Sequence, residues 1–222
     1  VRSPYTFAAF ETLIRYRTVW DADLVLRPFF LGGVMKATGN KPPGLLPAKA
    51  AYMSVDMQRL GRHFGVPMAQ PRDPRVIFTT LPAQRLLTAV SLDAPDDLEG
   101  VTRALWTRMY GRDEEVTSEE GLLAACAAAG VPRARAAALL LRSRQDIVKQ
   151  RLRQVTDEAV ARGAFGAPAI FVSKPPPPAP SKMATTTPSA EAAAGGEGWL
   201  HFFGSDRFEI LAEEMGWPWY GP

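Results

Sequence analysis

Along most of the chain apolar residues recur at helical spacing, and short apolar runs of strand type occur only towards its two ends. Behind Ser3-Pro4, the residues Phe7, Phe10 and Ile14 stand at i, i+3 and i+7. That pattern predicts an amphipathic first helix, capped by the serine and opened by a proline already shaped for the first helical position. The run Asp23-Leu24-Val25-Leu26-Arg27-Pro28-Phe29-Phe30 follows between turn signals and predicts a largely buried strand. Met53, Met57, Leu60 and Phe64 then line one helical face, a core-type stripe that Gly65 closes. Pro82 opens a helix over 83–90, and Pro95, with Asp96 and Asp97 behind it, opens another carrying Leu98, Val101 and Leu105. Thr117-Ser118-Glu119-Glu120 reads as a capping box before Leu122, with Gly130 as the stop. Pro132 starts the next helix, and 147–162 forms the last of the series, with Val148, Leu152, Val155 and Ala159 on one face. Helices following one another without a strand predict a helical unit over 34–162.

After Gly163 the pattern changes. Gly163-Ala164-Phe165-Gly166-Ala167-Pro168 is a turn sequence, Ala169-Ile170-Phe171-Val172 a short buried strand, and Trp199-Leu200-His201-Phe202-Phe203 a second. Between them, 174–198 holds a proline run at 175–178 and then threonine, alanine and glycine, a composition that predicts a disordered loop. Gly204-Ser205-Asp206 is read as the cap of a final helix through Phe208, Leu211 and Met215, and the tail Trp217-Pro218-Trp219-Tyr220 as an aromatic segment folded back on the domain. The two ends together predict one α/β domain, 1–33 with 163–222, interrupted by the helical insertion. A parallel βαβ unit needs a strand ahead of its helix, and only Val1 and Arg2 precede the cap, so the first strand is expected to be missing.

Composition narrows the chemistry. A chain of 222 residues with a net charge of +3 has its arginines scattered among acids, which argues against nucleic-acid binding. No apolar run reaches the ~18 residues of a membrane span. The one cysteine, Cys126, excludes an intramolecular disulfide and sits in an alanine-rich helix as a small core filler; with His63 and His201 far apart, no structural metal site is expected. Ser3 reads first as a helix cap and second as a candidate for chemistry, because a helix N-terminus carries unsatisfied N–H groups and partial positive charge and so favours an anion such as a thiolate. Ser205 and Asp206 read first as a helix cap and a first-turn acid that offsets the helix dipole.

Four motifs in order resemble kappa-class glutathione S-transferases, thioredoxin-like proteins related to 2-hydroxychromene-2-carboxylate isomerases and periplasmic thiol oxidases. They are Ser3-Pro4-Tyr5, Gly39-Asn40-Lys41-Pro42-Pro43-Gly44-Leu45-Leu46-Pro47, Gly163-Ala164-Phe165-Gly166-Ala167-Pro168 and Phe203-Gly204-Ser205-Asp206-Arg207. The resemblance implies an α/β thioredoxin-like domain interrupted by an inserted all-helical domain. It implies conjugation of glutathione, as co-substrate and without a further cofactor, to small electrophiles, by an intracellular homodimer of mitochondria, peroxisomes or cytoplasm that serves detoxification. Carried over, Ser3 stabilises the thiolate, with Pro4 and Tyr5 beside it. Asn40 contacts glutathione, Ala167 before Pro168 pairs with its cysteinyl backbone, and Ser205 and Asp206 hold the γ-glutamyl end. An isomerase of the hydroxychromene type, or a truncated non-catalytic relative lacking the first strand, are the alternatives. A disulfide oxidoreductase would need Cys-x-x-Cys where this chain has Ser3-Pro4-Tyr5-Thr6.

Overall fold

Ser3 closes the start of helix α1 (Pro4–Val19) as expected: its Oγ accepts from the Thr6 amide at 3.2 Å, and Pro4 fills a position whose N–H would have had no partner. The structure, a computed structural model, describes residues 1–173 and 198–222. Helix α1 buries Phe7, Ala8, Ala9 and Phe10. Trp106 stacks on Phe7 at 5.4 Å and meets Phe10 at 5.1 Å, which fixes α1 against the end of α5 (Leu98–Trp106). Each such aromatic pair contributes roughly 0.5–1.5 kcal/mol beyond the burial of its surface.

The segment after α1 departs from expectation. Residues 22–30 have no regular secondary structure, with Asp23, Val25 and Arg27 exposed and Leu24, Leu26 and Pro28 only partly covered. They form no ladder among the described residues, and Val25 is 65% exposed where a largely buried strand was expected. A strand needs neighbours for its N–H and C=O groups. Among the described residues the sheet has just the strands β1 (Ala169–Ser173) and β2 (Trp199–Phe203), paired antiparallel from Ala169–Phe203 to Ser173–Trp199.

The helical middle comprises α2 (Leu31–Thr38), α3 (Pro47–Phe64), α4 (Leu81–Asp93), α5, α6 (Glu119–Ala128), α7 (Arg133–Arg142) and α8 (Asp146–Ala161). Gly65 ends α3 in the left-handed region at φ 67°, as its position implied. Pro95 opens a short 3-10 turn, Pro95–Asp97, that leads into α5. The capping box is not formed. Ser118 is the N-cap of α6, which places Gly121 at the position the reciprocal glutamate would need; Glu115, upstream, accepts from the Thr117 and Ser118 amides instead. One buried cluster runs from Phe7 through Met57, Leu86, Leu105 and Leu122 to Leu211. Cys126 lies wholly inside it, and burial pushes its thiol up to about 11, so it is inert filler. None of the described helices is long and apolar enough to cross a membrane.

The final helix, α9 (Phe208–Met215), is capped at Arg207 without a side-chain hydrogen bond, so Ser205 and Asp206 belong to the preceding turn and are not its cap. The loop expected over 174–198 lies outside the described residues except for Gly198, which turns into β2. The aromatic tail does fold back: Trp20 stacks on Trp217 at 5.1 Å and donates from Nε1 to the Pro218 carbonyl, while Tyr16 stacks on Trp219 at 4.7 Å. The Tyr16 hydroxyl donates to the Gly221 carbonyl at 2.7 Å and accepts from the Tyr220 amide at 2.8 Å. Tyr16→Phe is expected to lose both bonds, lowering stability by about 1–2 kcal/mol and releasing 217–222 to protease. Denaturant melts with limited proteolysis check this, and unchanged cleavage of the tail would refute the tether.

Candidate functional site

The turn between α8 and β1 collects the sequence motifs. Its carbonyls are each taken by a different segment: Asn40 Nδ2 donates to Phe165 at 2.7 Å, the Ser3 hydroxyl to Ala167 at 3.3 Å, and the Gly204 amide to Pro168 at 3.3 Å. The peptide bond between Ala167 and Pro168 is cis. Gly166 lets Phe203 and Asn40 close on the turn: a Cβ there would lie 2.8 Å from the Phe203 ring and 3.4 Å from Asn40 Nδ2, so a side chain would displace the ring. Residues separated by more than a hundred positions therefore share one surface.

Ser3, Asn40, Ala167 and Pro168 are brought directly together, and the Gly204 bond draws the Ser205-Asp206 turn to the same loop. Ser3 is nearly buried, at 9% exposure, with its hydroxyl beside the N-terminus of α1. Because Pro4 has no N–H and Thr6 is bound to Ser3, the Tyr5 amide has no backbone acceptor among the described residues. The Ala167 amide is likewise without one. Ser205 is buried, while the Asp206 carboxylate is exposed and accepts from Arg207 Nη1 at 2.6 Å.

Pro4 and Tyr5 are placed differently from the others. Pro4 is buried as helix packing, and the Tyr5 hydroxyl turns to α3, donating to Asp56 Oδ2 at 3.1 Å. Burial, reinforced by Asp56, pushes the Tyr5 phenol up to about 12, so it stays protonated at any physiological pH and serves no acid–base role there. Sequence reading also passed over the aromatic wall beside the turn. Phe165 and Phe203 lie 4.5 Å apart and are 43% and 40% exposed, and His201 stacks on Phe171 at 4.7 Å. The available signal was Phe165 inside the turn motif and Phe203 just before Gly204. What this arrangement offers chemically is a hydroxyl at a helix start, two open amides, an exposed carboxylate and an apolar wall: groups that orient an extended, charged ligand and favour an anion near Ser3.

A DSBA-like thioredoxin domain matches over residues 1–216. The chain is similar to glutathione S-transferase kappa 1 of Homo sapiens, 38% identical with all of this chain and 90% of that protein covered. It is similar to glutathione S-transferase kappa 1 of Rattus norvegicus at 39%, with the same coverage, and to glutathione S-transferase kappa 2 of Caenorhabditis elegans at 29%, covering 91% of that protein. Among solved structures, a 2-hydroxychromene-2-carboxylate isomerase superposes with a TM-score of 0.71 over 97% of this chain and 90% of its own; at 20% identity the likeness bears on the fold.

Asn40 holds the turn from a half-buried position. Asn40→Ala is expected to leave global stability within about 0.5 kcal/mol while speeding amide exchange at Gly166 and Ala167. Exchange mass spectrometry reads this, and undisturbed exchange at the turn would show that Asn40 does not anchor it.

Proposed function

The chain belongs to the DSBA-like thioredoxin family and to the kappa-class glutathione S-transferases within it, and from that premise we propose that it joins the glutathione thiolate to small electrophiles at the turn around Ala167. The observation that carries this reading is the convergence of Ser3, Asn40 and Gly204 on the Phe165–Pro168 carbonyls. In this reading the tripeptide lies extended along the turn, its cysteinyl backbone accepting from the Ala167 amide. The Asp206 carboxylate receives the γ-glutamyl ammonium, with Ser205 beside it. Exposed Phe165 and Phe203 offer an apolar surface to the electrophile.

A free thiol has a pKa near ~8.5, so at neutral pH little of it is the nucleophilic thiolate. The Ser3 hydroxyl, rotating from the Ala167 carbonyl to the sulfur, donates to the anion, and the positive end of α1 adds to that preference. The thiol proton passes to solvent. Sulfur then gives an electron pair to the electrophilic carbon, the C–S bond forms, and a leaving group such as halide departs with the old bonding pair. No nucleophile of the protein is consumed.

Ser3 is also the helix cap, so its two roles need separating. Ser3→Gly keeps most of the capping, at a cost of a few tenths of a kcal/mol, while Ser3→Ala loses about 1 kcal/mol. Both are expected to lower kcat/KM for a chloronitrobenzene about 10–100-fold at pH 7, because either removes one hydrogen bond to a charged sulfur. The deficit should shrink as pH rises past the free thiol's pKa, where the thiolate forms unaided. Equal rates in Ser3→Gly and the parent chain would remove the hydroxyl from the mechanism.

Asp206→Asn tests the other end of the ligand. It should raise KM for glutathione about tenfold or more, with kcat little changed, because the ammonium contact is the same in ground and transition states. A fall in kcat at unchanged KM would count against the placement.

A further inference from the structure

Arg2 stands one residue ahead of Ser3, and its backbone is fixed. The Val1 carbonyl accepts from Trp106 Nε1 at 2.9 Å, the Arg2 carbonyl from the Tyr110 hydroxyl at 2.5 Å, and Ser3 is bound at both Thr6 and Ala167. The Arg2 side chain runs to the short 3-10 turn Pro74–Phe78, where its guanidinium lies over the Phe78 ring, 4.7 Å from the ring centre. Phe78 is 50% exposed, so the pair borders solvent.

The charge of Arg2 is not met as the charges of its counterparts are. The half-buried arginines Arg103, Arg108, Arg142 and Arg162 each hold a carboxylate, at 2.7, 2.7, 2.9 and 2.8 Å. Arg2 is half-buried too, yet its guanidinium has neither an ion pair nor a hydrogen bond among the described residues. Arg85 shares that state, but Arg2 alone adjoins Ser3. The titratable group acting on Arg2 is Tyr110, whose phenol burial pushes up and keeps uncharged at neutral pH. Burial also pulls the guanidinium below its usual value, a cost that a bound anion offsets.

A guanidinium stacked on an aromatic face keeps its edge free, and that edge presents N–H donors in a fork that fits a carboxylate bidentately. We propose that Arg2 is a specificity-determining residue that receives a carboxylate carried by the electrophile, so that acidic electrophiles are the preferred class. The proposal rests on the transferase reading for the reaction itself. Adjacent Cα atoms are about 3.8 Å apart, which roots this side chain beside the Ser3 hydroxyl and lets one substituted ring reach both the guanidinium and the sulfur. A single fork matches a single carboxylate, whereas a phosphate dianion would keep half its charge unpaired.

The test compares a chlorodinitrobenzoate, its carboxylate para to the halide, with the neutral chlorodinitrobenzene in the parent chain, Arg2→Gln and Arg2→Lys. Arg2→Gln is expected to lower the benzoate-to-benzene ratio of kcat/KM at least about tenfold, and Arg2→Lys, which keeps the charge but not the fork, by less. An unchanged ratio overturns the proposal. So does an equal fall with both substrates, which would place the charge on the sulfur, or a rise in KM for glutathione at constant ratio, which would give Arg2 to the tripeptide. If neither halide is conjugated, the transferase reading fails by itself, and calorimetry without glutathione then decides on Arg2. There the parent chain is expected to bind dinitrobenzoate at least about tenfold more tightly than dinitrobenzene, and Arg2→Gln to abolish the difference. Equal binding of the two by the parent chain, or a preference that survives in Arg2→Gln, would refute the carboxylate site.

Discussion

The site depends on how one short turn is held. Phe165, Ala167 and Pro168 present their carbonyls in different directions, and Asn40, Ser3 and Gly204 take one each. No single bond of this kind contributes more than about 0.5–1.5 kcal/mol. Their value lies in arrangement, since the donors come from the start of α1, the loop after α2 and the end of β2, and they agree on one geometry. The turn is thereby a junction of three separate segments.

The helical core makes that agreement possible. Helix α1 can present Ser3 at the turn because Phe7 and Phe10 are locked on Trp106, and because Tyr16 and Trp20 bind the C-terminal tail at its other end. Rigid packing at both ends leaves the helix little freedom to slide, so a residue at its N-terminus keeps its place within hydrogen-bonding distance of Ala167. The sheet supplies less. Among the described residues β1 and β2 are paired only to each other, and the side of the molecule that faces 23–29 is supported by helices and by the chain's first residues.

Local signals were readable wherever a single residue type settles a local question. Ser3-Pro4 started a helix, Gly65 stopped one, and the boundaries of β2 matched its apolar run. They misled wherever the outcome depended on a partner. The segment 23–29 has strand composition but no ladder neighbour among the described residues, so it lies irregular and half exposed. Ser118 caps α6 where Thr117 was the expected cap, because the Glu115 carboxylate already holds the Thr117 amide. Ser205 and Asp206 look like a cap in sequence, yet the helix begins after Arg207 and their turn is tied to Pro168.

By itself the sequence determined which residue types were present at the ends of elements: a hydroxyl at a helix start, a glycine-rich turn before a proline, an acid after Gly-Ser. These are short-range matters of dihedral preference and capping, and they are decided within a few residues. The tertiary structure alone decided that Ser3 and Ala167 touch across 164 positions, that Tyr5 faces Asp56 and is thereby committed to α3, and that 23–29 and β1 line one cavity. Those facts depend on which faces the core buries together, and burial is a property of the whole chain.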